Sequence, residues 1–138
     1  MNSDIVTLCK AIAHRAHAGQ FRRDGVTPYI VHPEAVARRL EGDPAAQATA
    51  WLHDVLEDTA VTEADLESAG VSRPIVDAVR LLTKVDGADY EAYLREIRNH
   101  PLARKVKVAD MLANLGDAPS ERQILKYARG LIVLLAPS

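Results

Sequence analysis

The chain has 138 residues, the usual size of one domain, and is long enough to bury a core without disulfides. Its formal net charge of −2 argues against a general nucleic-acid-binding protein, and its single cysteine, Cys9, excludes an internal disulfide. No signal peptide or membrane-spanning apolar run is found. We therefore expect a soluble, cytoplasmic protein with no nucleic-acid or membrane partner, forming one domain over 1–138.

The first half of the chain predicts three helices. Apolar residues recur every three or four positions from Ile5 to Ala16, which indicates an amphipathic first helix. A loop over 19–33 follows, marked by glycines and prolines. Pro33 fits the first turn of a second helix, which Gly42 ends. A third helix is predicted from Pro44 to Asp58.

The second half also has helical patterns throughout. Thr62 with Asp65 resembles a capping box for a short helix that ends at Gly70. Four more helices are predicted, beginning at Ser72, near Tyr90, at Pro101 and near Ser120. No stretch alternates apolar and polar residues over six positions, so no strand is predicted. The predicted fold is all-α, a compact single-domain helical bundle.

The segment Trp51–Asp58 carries the first chemical signal. On a continuous helix its polar residues form one stripe and its apolar residues form the complementary face. The polar stripe consists of His53, Asp54, Glu57 and Asp58. The alternative is a surface helix with an acidic face and a bordering histidine.

Two further segments supply residues of the same chemical kind. His32 lies where a loop meets a helix, a position that often carries function. Asp110 lies in an apolar segment, where a carboxylate is costly unless it is paired or bound to a metal. Asn114 follows one turn later on the same face. A buried, hydrogen-bonded Asp–Asn or Asp–Lys arrangement is the alternative to metal binding.

Together these segments predict a metal centre made of His32, His53, Asp54 and Asp110. Two imidazoles and two carboxylates suit manganese, iron, cobalt or zinc better than calcium. A bound ion lowers the pKa of its water and so produces a nucleophile near neutral pH. Carboxylates one turn beyond the ligands, as in Glu57 and Asp58, are within plausible reach of that water and suited to proton transfer.

A basic loop adds a second kind of site. Arg22 and Arg23 stand in the Gly-flanked segment 19–25, and their planar, charged groups suit phosphate binding or base stacking. Ordinary surface charge on a solvated loop is the alternative. His14 and His17 share a helix face near this loop, and we expect both at the surface.

Four ordered blocks of these residues resemble the hydrolase domain of the RelA/SpoT homologues, within the HD superfamily of metal-dependent phosphohydrolases. The blocks are Ala16–Arg23, Pro28–Pro33, Leu52–Thr59 and Lys107–Leu115. The chain looks most like the stand-alone small alarmone hydrolases, because no residues remain for a synthetase domain.

This resemblance implies a full set of roles for the site. It implies that the ion, usually manganese, is bound by His32, His53, Asp54 and Asp110, and that the attacking water is handled by Glu57 and Asp58. It assigns Arg22 to the nucleotide base, Arg23 to the vicinity of phosphate and Asn114 to the sugar. The implied substrate is a small phosphorylated nucleotide, guanosine tetra- or pentaphosphate, from which pyrophosphate leaves the 3′ position.

Two departures from the family pattern keep other functions open. Met111 and Gly116 stand where the family often has basic residues, and the arginine loop holds Asp24 and one extra residue. One alternative is therefore an HD-type phosphohydrolase acting on another nucleotide or a nicotinamide-dinucleotide phosphate. A non-catalytic nucleotide-binding module and a purely structural helical protein belong to other classes. The sequence leaves the oligomeric state open.

Overall fold

The computed structural model describes the backbone of residues 2–137 and the side chains of 4–137. Over these residues the chain forms nine α-helices and no β-strand, so the all-α prediction is confirmed. The helices are α1 (Asn2–Ala16), α2 (Val31–Arg38), α3 (Pro44–Leu52), α4 (Val55–Asp58), α5 (Glu63–Ser68), α6 (Arg73–Leu82), α7 (Tyr90–Arg98), α8 (Pro101–Leu115) and α9 (Glu121–Leu135). In this part of the chain no helix is long and apolar enough to cross a membrane.

Helix α3 lies at the centre of the fold and packs against α1, α2, α6 and α8. A helix that is apolar on all sides belongs in a core, and α3 has this character because most of its residues are small or apolar. Its buried residues are Ala46, Ala48, Thr49, Ala50, Trp51 and Leu52. A second group, formed by α7, α8 and α9, packs beside it, and α8 joins the two groups.

Side-chain caps fix where several helices begin. The side chains of Asp43, Asp89 and Ser120 each accept a hydrogen bond from a backbone amide in the first turn that follows. The predicted capping box of Thr62 and Asp65 is confirmed, with both reciprocal hydrogen bonds present. These caps satisfy amides that a helix leaves without an internal partner.

The predicted continuous helix from Pro44 to Asp58 is wrong. Helix α3 ends at Leu52, and α4 begins at Val55 after a turn in which Asp54 has φ −108° and ψ 0°. On an unbroken helix, consecutive side chains point about 100° apart. The break places His53 at the end of α3 and Asp54 in the turn before α4, where Nε2 of His53 lies 3.0 Å from Oδ2 of Asp54.

Cys9 is a core residue, as its spacing predicts. Its side chain has no exposed surface, and burial raises the pKa of the thiol to about 12. A thiol with that pKa remains protonated and unreactive at neutral pH.

Gly130 of α9 is buried against the side chains of Met111 on α8 and Leu94 on α7. A Cβ at this position would lie 2.6 Å from Cε of Met111 and 3.4 Å from Cδ1 of Leu94. Met111 is itself fully buried, so its side chain fills the space that Gly130 leaves open. A side chain at 130 would therefore have to displace the end of the buried Met111 side chain.

We expect Gly130→Val to lower the free energy of unfolding by about 1–3 kcal/mol, because the added atoms overpack the contact with Met111 and Leu94. Chemical denaturation followed by circular dichroism would measure this change. Ala128→Val, at an exposed position of the same helix, is the matched control and should cost no more than the helix propensity of valine, about 0.7 kcal/mol. A Gly130→Val protein as stable as the parent would contradict the packing argument.

Candidate metal centre

Three buried side chains from separate helices meet beside α3. His32 comes from the first turn of α2, His53 caps the end of α3, and Asp110 projects from α8. One ligand atom from each lies within 4.8 Å of the others. Nε2 of His32 is 2.8 Å from Oδ1 of Asp110, and Nε2 of His53 is 3.5 Å from the same oxygen. This group could hold a metal ion.

The orientation of His53 suits a metal ligand. Its Nδ1 lies 2.7 Å from the carbonyl oxygen of Ala50, a contact that places the proton on Nδ1 and leaves Nε2 facing the centre. Nε2 is buried and makes no hydrogen bond of acceptable geometry, although Oδ2 of Asp54 is 3.0 Å away. Since His53 is only 3% exposed, the alternative of a surface helix with a bordering histidine is wrong for this residue.

The charges around His53 favour a cation at Nε2. Burial alone would lower the pKa of this imidazole, but the carboxylates of Asp54 and Asp110 overcome that effect and raise the pKa well above its ordinary value. The same negative potential that attracts a proton attracts a divalent ion. The donor set and its charge therefore fit a metal.

Asp110 is ionised despite its burial. Burial would raise its pKa, but Lys107 and His53 hold the pKa well below its ordinary range. Nζ of Lys107 donates to Oδ2 at 3.0 Å, and Nδ2 of Asn114 lies 3.3 Å from Oδ1. The Asp–Lys and Asp–Asn contacts that form the alternative to metal binding are thus both present, together with the contact to His32.

Asp54 is held by a residue that the sequence did not single out. The hydroxyl of Tyr29 donates to Oδ2 of Asp54, and the Tyr29 ring lies 4.8 Å from the His17 ring and 6.2 Å from the His32 ring, measured between centroids. Tyr29 precedes His32 by three residues in one of the recognised blocks. Its position close to His32 in the sequence was the one feature that could have drawn attention to Tyr29. Sequence position alone does not reveal a hydrogen bond to a residue 25 positions away.

The predicted surface position of His17 is wrong, whereas that of His14 is confirmed. His17 is 2% exposed, and its Nδ1 lies 2.7 Å from Oε1 of Gln20. His17 follows the last residue of α1 and is covered by the loop after it, where its ring also contacts the ring of Tyr29.

Glu57 and Asp58 lie on α4, one turn beyond the break, and do not line the pocket beside the three buried ligands. Partial burial and the charges of Asp54 and Asp58 raise the pKa of Glu57, although its hydrogen bond from the amide of Lys84 opposes the shift. Partial burial and Asp54 likewise raise the pKa of Asp58. Both carboxylates are therefore stronger bases than free ones.

The three residues predicted to bind substrate come together next to the candidate ligands. They line a pocket of about 300 Å³. Its walls are formed by Phe21, Arg22, Arg23, Tyr29, His32, Asp54, Asp110 and Asn114. Arg22 is fixed there by an ion pair of 2.9 Å with Asp117, and its guanidinium carbon lies 6.0 Å from the centre of the Tyr29 ring.

Comparison with known proteins gives related sequences and a related structure, while no family model matches the chain. A guanosine-3′,5′-bis(diphosphate) 3′-pyrophosphohydrolase from Haemophilus influenzae is 43% identical over 124 residues, covering 86% of this chain and 18% of that protein. A protein of the same name from Vibrio cholerae is 39% identical, covering 86% of this chain and 17% of its own length. The chain thus spans less than a fifth of these curated relatives.

The related structure is described as a metazoan orthologue of SpoT that hydrolyses ppGpp. It superimposes with a TM-score of 0.76 and 25% sequence identity, covering 96% of this chain and 86% of that one. The likeness extends over nearly all of the helical fold.

If the three side chains hold a divalent ion, His53→Ala should abolish its tight binding, because the substitution removes the buried Nε2 that lies near the carboxylates of Asp54 and Asp110. Titration calorimetry would measure affinity, and circular dichroism would check that the helices remain. His14→Ala removes an exposed histidine from α1 and serves as the control. Metal affinity near that of the parent in folded His53→Ala would exclude His53 as a ligand.

Proposed function

Because this chain belongs to the HD-type hydrolase domains of the RelA/SpoT homologues, we propose that it releases pyrophosphate from the 3′ position of guanosine 3′,5′-bis(diphosphate). The products are GDP and pyrophosphate, or GTP and pyrophosphate from the pentaphosphate. The observation that carries the proposal is the buried cluster of His32, His53 and Asp110 beside an arginine-lined pocket. The names of the bacterial relatives and the description of the related structure support the same substrate.

The proposed ligands of a divalent ion, with manganese as the favoured metal, are His32, His53, Asp54 and Asp110. When bound, such an ion supplies a Lewis acid that polarises a phosphoryl oxygen and lowers the pKa of a water molecule. The protein prepares this site through contacts outside the ligand set. Tyr29 orients Asp54, and Lys107 keeps Asp110 ionised.

Glu57 and Asp58 are the proposed proton acceptors for the attacking water. Each has a pKa raised above its ordinary value by partial burial and by the charge of Asp54. A carboxylate with a raised pKa is a stronger base, and it can pass the proton on more readily at the pH where it works. Both lie on α4, which follows Asp54 directly in the chain, and the charge of Asp54 acts on the pKa of each, which supports this assignment.

The arginines and Asn114 are the proposed substrate contacts. Arg22 is already oriented by Asp117, so its planar face can meet a nucleobase with little further loss of side-chain freedom. Arg23 is exposed at the edge of the same pocket and suits phosphate. Asn114 lies between Asp110 and the end of α8, where its amide can reach the ribose.

The proposal predicts manganese-dependent release of pyrophosphate from guanosine 3′,5′-bis(diphosphate). The assay measures pyrophosphate and GDP by chromatography, with protein that is first stripped of metal and then given manganese. Rapid release with manganese and loss of release after chelation are expected. Tight manganese binding without release would reject this substrate and leave the metal site intact.

We expect Glu57→Gln to retain manganese affinity but to lose about 10²–10⁴-fold in turnover, because the amide accepts no proton from the attacking water. Glu96→Gln, at an exposed position of α7, removes the same charge elsewhere and should turn over normally. Turnover of Glu57→Gln within about twofold of the parent would remove Glu57 from the mechanism.

A further inference from the structure

A second, larger cleft adjoins the pocket at the candidate metal centre. Its volume is about 940 Å³, and it lies between α2, the loop over 22–27 and the connection from α8 to α9. It shares Arg22, Arg23 and His32 with the smaller pocket, so a ligand can extend from one into the other. Four arginines line this cleft: Arg22, Arg23, Arg38 and Arg39.

These arginines differ in whether their guanidinium groups are already paired with a carboxylate of the protein. Arg22 is paired with Asp117, and Arg38 lies 3.4 Å from Glu34 on its own helix. Among the described residues, Arg23 and Arg39 have no ion pair and no side-chain hydrogen bond. Their guanidinium groups are therefore available to an anion that enters the cleft.

The Arg39 side chain extends to the glycine at the end of α8. Nη2 of Arg39 lies 3.5 Å from the point that a Cβ on Gly116 would occupy. Arg39 thus reaches from the C-terminal end of α2 to the C-terminal end of α8, two residues beyond Asn114. A Cβ at 116 would be in ordinary van der Waals contact with this guanidinium, so the end of the Arg39 side chain lies directly beside the α8 terminus.

We infer that Arg39, assisted by Arg23, binds the phosphate groups on the 5′ side of the nucleotide and so selects substrates that carry phosphate on both sides of the ribose. The inference rests on the proposed function: a nucleotide whose 3′ diphosphate lies at the metal centre would have its 5′ arm free to extend past the shared residues Arg22, Arg23 and His32 into this cleft. Two unpaired guanidinium groups match the charged 5′ arm better than the neutral base.

A purely structural role for Arg39 makes a different prediction. A cation near the carbonyl groups at the end of α8 interacts favourably with the helix dipole. In that case Arg39→Ala would lower the melting temperature and leave the preference among substrates unchanged.

The decisive experiment compares two substrates that differ only at the 5′ position: guanosine 3′,5′-bis(diphosphate) and guanosine 3′-diphosphate with a free 5′ hydroxyl. Arg39→Ala should raise KM roughly 10–100-fold for the first, the size expected for lost charge-assisted hydrogen bonds. Its kcat, and its KM for the second substrate, should stay near the parent values. Arg39→Lys should recover part of the loss, and Arg129→Ala, an exposed arginine outside the cleft, is the control.

A binding measurement separates this inference from the proposed activity. The parent should bind GDP more tightly than guanosine in calorimetry, and Arg39→Ala should lose most of that difference. If the parent releases no pyrophosphate but this GDP result holds, the phosphate subsite stands and the proposed activity fails. Equal KM changes for both substrates, an altered GDP-to-ADP preference alone, or a parent that binds GDP and guanosine equally would overturn the assignment of Arg39.

Discussion

The buried carboxylate of Asp110 is the constraint around which the site is built. An ionised carboxylate in a protein interior is strongly unfavourable unless nearby groups compensate its charge. Here the compensation comes from Lys107 on the same helix and from His32 on α2, with His53 at the end of α3 adjacent. The packing of α2, α3 and α8 against one another is therefore tied to the electrostatics of one side chain.

Much of the fold could be predicted because its signals are local. Glycines, prolines and the Thr62 cap mark helix ends through interactions within a few residues, and apolar spacing identifies the buried faces. The break after Leu52 could not be predicted in this way, since the residues around it favour a continuous helix. The contact of His53 with Asp110 and the hydrogen bond from Tyr29 to Asp54 are tertiary interactions that override this local preference.

The candidate site, too, has features that the sequence predicts and features that depend on contacts between distant residues. The residue types and their ordered blocks were enough to predict that His32, His53 and Asp110 lie together. The role of Tyr29 depends on a hydrogen bond that spans 25 positions, and no periodic pattern encodes such a distance. The sequence likewise does not show which arginines are paired, because the partner of Arg22 lies 95 positions away.

The contact between Lys107 and Asp110 also bears on the order in which the protein matures. Small zinc domains remain unfolded until their ion arrives, since nothing else neutralises their ligands. In this chain an internal ammonium group already balances one carboxylate, and Tyr29 restrains the other. The packing of α2, α3 and α8 around Asp110 therefore does not depend on a bound cation to balance that carboxylate, and we expect the same helical fold with and without added divalent ions.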